Sequence, residues 1–275
     1  MRRTVALVWL VLAVPATARA DEPEWVGPMK EVHAKFTGTP GTLALFGDSI
    51  TVSMAFWAPL DYAPKTLDPA TAKDLETVKG RMKPECWAKW RGPEHGNQGS
   101  MTIRWADENV DKWLKKLNPE CAVLMFGTND LGQLGEQEYD RKTRSVVERC
   151  LKNGTVVILT TIPLRSGQLD KAKRFAEVQR KVAADLKLPL IDYQAEILKR
   201  RPDDWDGSLP KFKEFAKDVY QVPTLVAADG VHPSNPKKFQ DYSEESLKSN
   251  GFQLRNVLTL HAYADVIRKV LAPPK

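Results

Sequence analysis

Three short apolar runs constrain this chain more than any other feature. Positions 43–46, 122–126 and 155–161 are apolar or β-branched almost without interruption, and each is too short for a helix of its own. Such runs suit strands buried on both faces. Between and after them lie longer stretches with one apolar stripe, at 106–117, 136–152 and 169–186. A short fourth strand is expected at 189–192 and a last helix at 255–271. Strand and helix alternate about every thirty residues, the spacing of βαβ units. That alternation predicts an α/β fold with a parallel sheet covered on both faces. Asp68-Pro69 supplies an N-cap acid and a proline at the first helical position, so a helix is expected over 69–80. Trp87-Ala88-Lys89-Trp90 alternates and is read as a further, half-exposed strand.

The N-terminus sets the compartment. Arg2 and Arg3 precede an apolar run from Val5 to Val14, and Ala18-Arg19-Ala20 offers small residues where a signal peptidase reads. Residues 1–20 are therefore expected to be a signal peptide cleaved after Ala20, which makes the protein secreted or periplasmic. The run is about ten residues, half of what a spanning helix requires. No stable membrane insertion is expected. The chain carries a net charge of +6; residues 1–20 hold three arginines and no acid, which leaves +3. With basic residues spread along the chain, no nucleic-acid partner is implied. Cys86, Cys121 and Cys150 are an odd set without zinc-site spacing, read as buried free thiols with one bridge as the alternative. About 255 remaining residues suffice for one domain, at 42–272, behind a Pro/Gly-rich strap at 21–41.

Function is written at the ends of the strands. The first run leads into Gly47-Asp48-Ser49-Ile50-Thr51, which places Ser49 at a strand-to-helix turn on the carboxyl edge of the sheet, where sites of open α/β sheets collect. A helix N-terminus there presents free N–H groups to an oxyanion. The second ends in Phe126-Gly127-Thr128-Asn129-Asp130, putting Asn129 on the same edge. Gly96-Asn97-Gln98-Gly99-Ser100 is a glycine-bearing turn ahead of a helix. Asp229-Gly230-Val231-His232-Pro233 sets a carboxylate and an imidazole three residues apart in one turn. That spacing lets the acid hold one ring nitrogen while the other faces outward, as Ser-His-Asp chemistry requires.

These four stretches, in this order, resemble the SGNH hydrolases, also called GDSL esterases and lipases. The resemblance runs through its blocks over 42–235. It implies a three-layer α/β/α domain, flavodoxin-like, around a five-stranded parallel sheet. It assigns Ser49 as nucleophile, His232 as general base and Asp229 as the residue orienting it. The oxyanion hole would be the backbone N–H groups of Ser49 and Gly99 with the Asn129 side-chain amide. No metal or organic cofactor is implied.

Two departures bear on the pocket. Many relatives carry a glycine shortly after the serine block, where this chain has Val52-Ser53-Met54. Arg91-Gly92-Pro93-Glu94-His95 precedes the second block as an insertion. His95 has the sequence position to reach the site, although a loop histidine is the plainer reading. The absence of Gly-x-Ser-x-Gly argues against the α/β-hydrolase fold. Inserted stretches at about 57–98 and 199–228 carry Trp57, Trp87, Trp90 and Trp205 with Tyr62 and Tyr220. Such rings either stack on sugars or pack their own loops onto the core. The expected substrate is a small-molecule or polysaccharide O-acyl ester, with acetyl on carbohydrate preferred. A lipase or thioesterase and a non-catalytic carbohydrate-binding protein are the alternatives.

Overall fold

The computed structural model describes residues 22–62, 64–215 and 217–271. The expected signal peptide lies outside the described residues. Among the described residues, no helix is long and apolar enough to cross a membrane.

Four parallel strands form the sheet: β1 (Leu43–Gly47), β2 (Cys121–Met125), β3 (Val156–Thr160) and β4 (Leu190–Ile191), ordered β1-β2-β3-β4. Leu43 pairs with Cys121, and Cys121 with Val156, so the three long strands start level. Every residue of β1, β2 and β3 is buried, which requires cover on both faces.

The helices supply that cover. The expected strap at 21–41 contains α1 (Val26–His33). A one-turn α2 (Ser49–Val52) follows β1, and α3 (Pro69–Lys79) is capped by Asp68 as its sequence indicates. Next come α4 (Ile103–Leu117), α5 (Glu136–Lys152), α6 (Leu169–Asp185), α7 (Tyr193–Arg200) and α8 (Gly251–Lys269). The crossovers β1→β2, β2→β3 and β3→β4 all step the same way, so right-handedness puts α4, α5 and α6 side by side on one face. Helix α8 packs along α3 and reaches α7 and β4, forming the third layer. Gly154, at φ +86°, ends α5, and a side chain there would strike the backbone of Phe36.

Two expectations require correction. The sheet has four strands rather than five. Beside β1, the place of a fifth is held by a single parallel bridge between Gly47 and Asn97, with Gly47 N–H donating to Gly96 O at 3.0 Å and Gln98 N–H to Gly47 O at 3.2 Å. The segment read as that strand is instead part of a helical turn, Glu85–Ala88. Trp87 and Trp90 are three apart, which puts them on one face of a helical turn but on opposite faces of a strand. Burial decided the matter: Trp87 stacks on Trp57 with ring centroids 5.0 Å apart. The thiols of Cys86, Cys121 and Cys150 are all free and buried.

Two buried carboxylates sit under the carboxyl edge. Asp130 accepts the Ile103 N–H at 3.0 Å, capping α4, and burial beside Asp48 pushes its carboxyl up to about 7. Burial pushes Asp48 to about 6. Both values lie above the unfolded one, so the native state holds more protons between about pH 4 and 7, and stability falls as pH rises through that window. Urea unfolding at pH 5 and pH 8 checks this: the wild type is expected to be less stable at pH 8. Asp130→Asn should recover about 1–3 kcal/mol of that loss.

Candidate active site

β1 delivers Ser49. At its end Asp48 adopts an extended conformation, and its Oδ1 accepts the Ile50 N–H at 3.0 Å, capping α2. The Thr51 side chain occupies the space where a Cβ at position 47 would stand, so only glycine lets the chain turn this tightly. Ser49 is thus the first residue of a helical turn on the carboxyl edge of the sheet.

The turn at 229–232 supplies the imidazole. Asp229 Oδ1 accepts the N–H groups of Val231 at 2.8 Å and His232 at 3.0 Å, locking the turn. Its Oδ2 lies 2.7 Å from His232 Nδ1, and His232 Nε2 lies 2.9 Å from Ser49 Oγ. With the proton on Nδ1 facing the carboxylate, Nε2 is left as an acceptor for the serine hydroxyl. The hydrogen bond to Asp229 raises the His232 pKa above its ordinary 6.5, overcoming partial burial. Burial works to raise Asp229, but the His232 ring and the two backbone N–H groups together hold it below the usual carboxylate range.

Gly99 and Asn129 stand beside Ser49. A Cβ at position 99 would meet only the Ser49 Cβ, at 3.9 Å, so the space it would fill is the space over Ser49. The Asn129 amide donates to Met101 O at 2.9 Å and faces Asp48 Oδ2 at 3.4 Å. Its second N–H is therefore only weakly engaged. Among the described residues, the backbone N–H groups of Ser49 and Gly99 have no acceptor. Three donors that the protein itself leaves wholly or largely unspent thus converge around Ser49.

The remaining histidines are engaged elsewhere. His95 Nδ1 bonds Arg91 O at 2.9 Å within its own loop, His33 bonds Glu120 and His261 bonds Asp74. Ser49 and His232 open into a cavity of about 380 Å³, walled in part by Ser53, Ala55, Tyr220 and Phe252. The departure at Val52-Ser53-Met54 thus falls on the wall of this cavity. Trp57, Trp87 and Trp205 are buried and Trp90 packs against the core, so the tryptophans of the inserted stretches hold their loops down.

The family model for GDSL-like lipases and acylhydrolases matches residues 45–236. The chain belongs to that family. As a GDSL-like acylhydrolase it is a carboxylic ester hydrolase. It is similar to a lipase/acylhydrolase from Enterococcus faecalis at 18% identity and TM-score 0.52, over 85% of this chain and 98% of that one. It also matches Axe2, an acetylxylan esterase from Geobacillus stearothermophilus, at 17% identity and TM-score 0.45, over 84% and 94%. LAE5, an α/β hydrolase from the Lake Arreo metagenome, matches at 15% identity and TM-score 0.45, over 86% and 99%. No curated protein matches the chain.

Two arginines of this GDSL-like hydrolase escaped the sequence reading. Arg91 Nη1 donates to Thr51 O, Val52 O and Ser53 O at 2.9–3.0 Å, and Nη2 donates to Phe56 O at 2.8 Å. Arg255, fully buried on α8, donates to Ile50 O at 2.8 Å and Thr51 Oγ1 at 3.0 Å, with its guanidinium 3.6 Å over the Phe56 ring. A one-turn helix leaves its carbonyls without intrahelical partners. Here guanidinium groups take them, although burial lowers both arginines to about 10. Arg91→Met strands several half-buried carbonyls and is expected to destabilise the fold by about 2–4 kcal/mol. It should lower kcat more than it raises KM, and Arg91→Lys should recover part of both. Urea melts and steady-state kinetics on a soluble acetyl ester check this.

Proposed function

We propose that the protein is an exported serine esterase that removes short O-acyl groups, chiefly acetyl, from carbohydrate. The observation that carries the reading is the continuous hydrogen-bond relay from Asp229 through His232 to Ser49, at 2.7 and 2.9 Å. Ser49 Oγ attacks the ester carbonyl carbon while His232 Nε2 takes its proton. The oxyanion that forms accepts hydrogen bonds from the N–H groups of Ser49 and Gly99 and from the Asn129 amide. Collapse breaks the carbon–oxygen bond to the alcohol, which receives the proton from His232 and departs. Water then adds to the acyl-enzyme with His232 as base, and the acid leaves as Ser49 recovers its proton.

The preference for a small acyl group on a polyol rests on the cavity. Beside Ser49 its wall carries Ser53, Gln221, Asn235 and Gln240 together with Ala55, Tyr220 and Phe252, a mixture of hydrogen-bonding groups and ring faces that suits a sugar. Export rests on the arginine-led apolar segment and Ala18-Arg19-Ala20.

Acetate release from acetylated xylo-oligosaccharides and from p-nitrophenyl esters of increasing chain length tests the assignment. Wild type should release acetate, with activity falling as the acyl chain lengthens, and Ser49→Ala should be inactive. Dominance of long-chain esters would favour a lipase instead. Asn129→Ala should cost about 10²–10³ in kcat with little change in KM. Since His232 must be neutral to accept the proton, kcat/KM should fall on the acid side with a midpoint above 6.5. Asp229→Asn removes the group that raises that midpoint and should move it down.

A further inference from the structure

The catalytic cavity does not end at its own wall. Ala55, Asn235, Lys237 and Gln240 also line a second cavity of about 550 Å³, so the two spaces adjoin across a common rim. Three large hydrophobic side chains are exposed among the described residues: Met54 at 51%, Tyr62 at 68% and Tyr220 at 39%. All three lie on these cavities, Tyr220 beside His232 and the other two in the far space. Exposed rings forgo burial worth about 25 cal/mol per Å², and their gathering along one groove marks a surface built to receive something flat and amphipathic.

The groove is also cationic. Lys65, Lys237 and Lys238 line the far cavity, and among the described residues none of the three lies within 4 Å of a carboxylate. Lys65 is near enough to Asp241 to help hold its carboxyl low, and Lys238 lies 5.0 Å over the Phe239 ring. Other lysines are neutralised, as in Lys116–Glu94, Lys142–Asp107 and Lys181–Asp185. The one carboxylate lining the far cavity, Asp241, already accepts the N–H and hydroxyl of Ser243 at 2.9 and 2.7 Å. Asp218 lies on the catalytic side. Three ammonium groups against one engaged carboxylate leave the far space positive.

We propose that this far groove is a second subsite, which holds an anionic sugar of the same glycan chain whose acyl ester lies at Ser49. The subsite rests on the ester-hydrolase reading of Ser49 and adds the substrate class: an O-acetylated acidic oligosaccharide. Tyr220 packs against the ring bearing the ester, Tyr62 against a ring farther along, and the lysines against its carboxylate or sulfate.

Partly O-acetylated oligogalacturonate tests the proposal, prepared with its carboxylates free or methyl-esterified, with acetate release as the readout. At low ionic strength kcat/KM should be about fivefold higher on the free acid, the scale of a few partly exposed ion pairs. The difference should lie in KM and should shrink in about 0.5 M NaCl. The double variant Lys65→Gln, Lys238→Gln should bring the ratio close to one. Because the ratio compares two substrates on one protein, partial loss of folded enzyme does not alter it. Competition by unacetylated oligogalacturonate would identify the anion as carboxylate, and competition by dextran sulfate as sulfate. Equal kcat/KM on both forms in the wild type, a preference that survives in the double variant, or competition by neither polyanion would overturn the subsite. Absence of acetate release from every ester, small ones included, would instead refute the esterase reading and take the subsite with it.

Discussion

A hydrogen bond of 2.9 Å between Ser49 Oγ and His232 Nε2 joins two segments 183 residues apart in the chain. Most of the architecture bears on that distance. β1 ends at Gly47 and turns within two residues, which places the hydroxyl at the carboxyl edge. The imidazole comes from an irregular turn held by its own carboxylate and tied back to the fold, with Ala227 N–H donating to His232 O at 2.7 Å. Neither segment is long enough to be rigid by itself. Their relation is fixed by what lies beneath them: β2 against β1 on one side, and α8 below the serine turn.

The serine turn shows how such a site is stiffened. A helix of four residues cannot satisfy its own backbone, and the chain from 53 to 58 forms neither strand nor longer helix. Arg91 and Arg255 supply the missing donors from two distant elements and converge on 50–56. Burying two guanidinium groups is costly, and the cost is offset by carbonyls that would otherwise lie stranded and by stacking on Phe56. Polar groups at this edge thus form one connected set. Asp48 caps the serine turn and faces the Asn129 amide, and Asp130 caps α4 next to it.

Much of this was legible in the sequence because it is local. The strand runs were continuous and their ends carried glycine and small polar residues, so Ser49 and Asn129 could be set on one edge from the order of elements, while Gly99, Asp229 and His232 joined them only through the resemblance to the SGNH hydrolases. What was misread depended on distant contacts. Trp87 and Trp90, three apart, share a face only in a helical turn, and Trp87 is held there by stacking on the distant Trp57. Helix α8 begins at Gly251 rather than 255 because its first turns are buried all round, Gln253, Arg255 and Asn256 included, which erases the one-sided stripe. The arginines were invisible for the same reason: a cation in an inserted loop or on a helix gives no local sign that it caps another element.

The proposed role of Ser49, a nucleophile activated by His232, is open to covalent labelling. A fluorophosphonate probe reacts with a serine whose proton is drawn away by a neighbouring base. One labelled peptide is expected, the one containing Ser49, with labelling abolished in Ser49→Ala and slowed by orders of magnitude in His232→Ala. Label that maps to another residue, or a rate at Ser49 that is unchanged when His232 is removed, would contradict it.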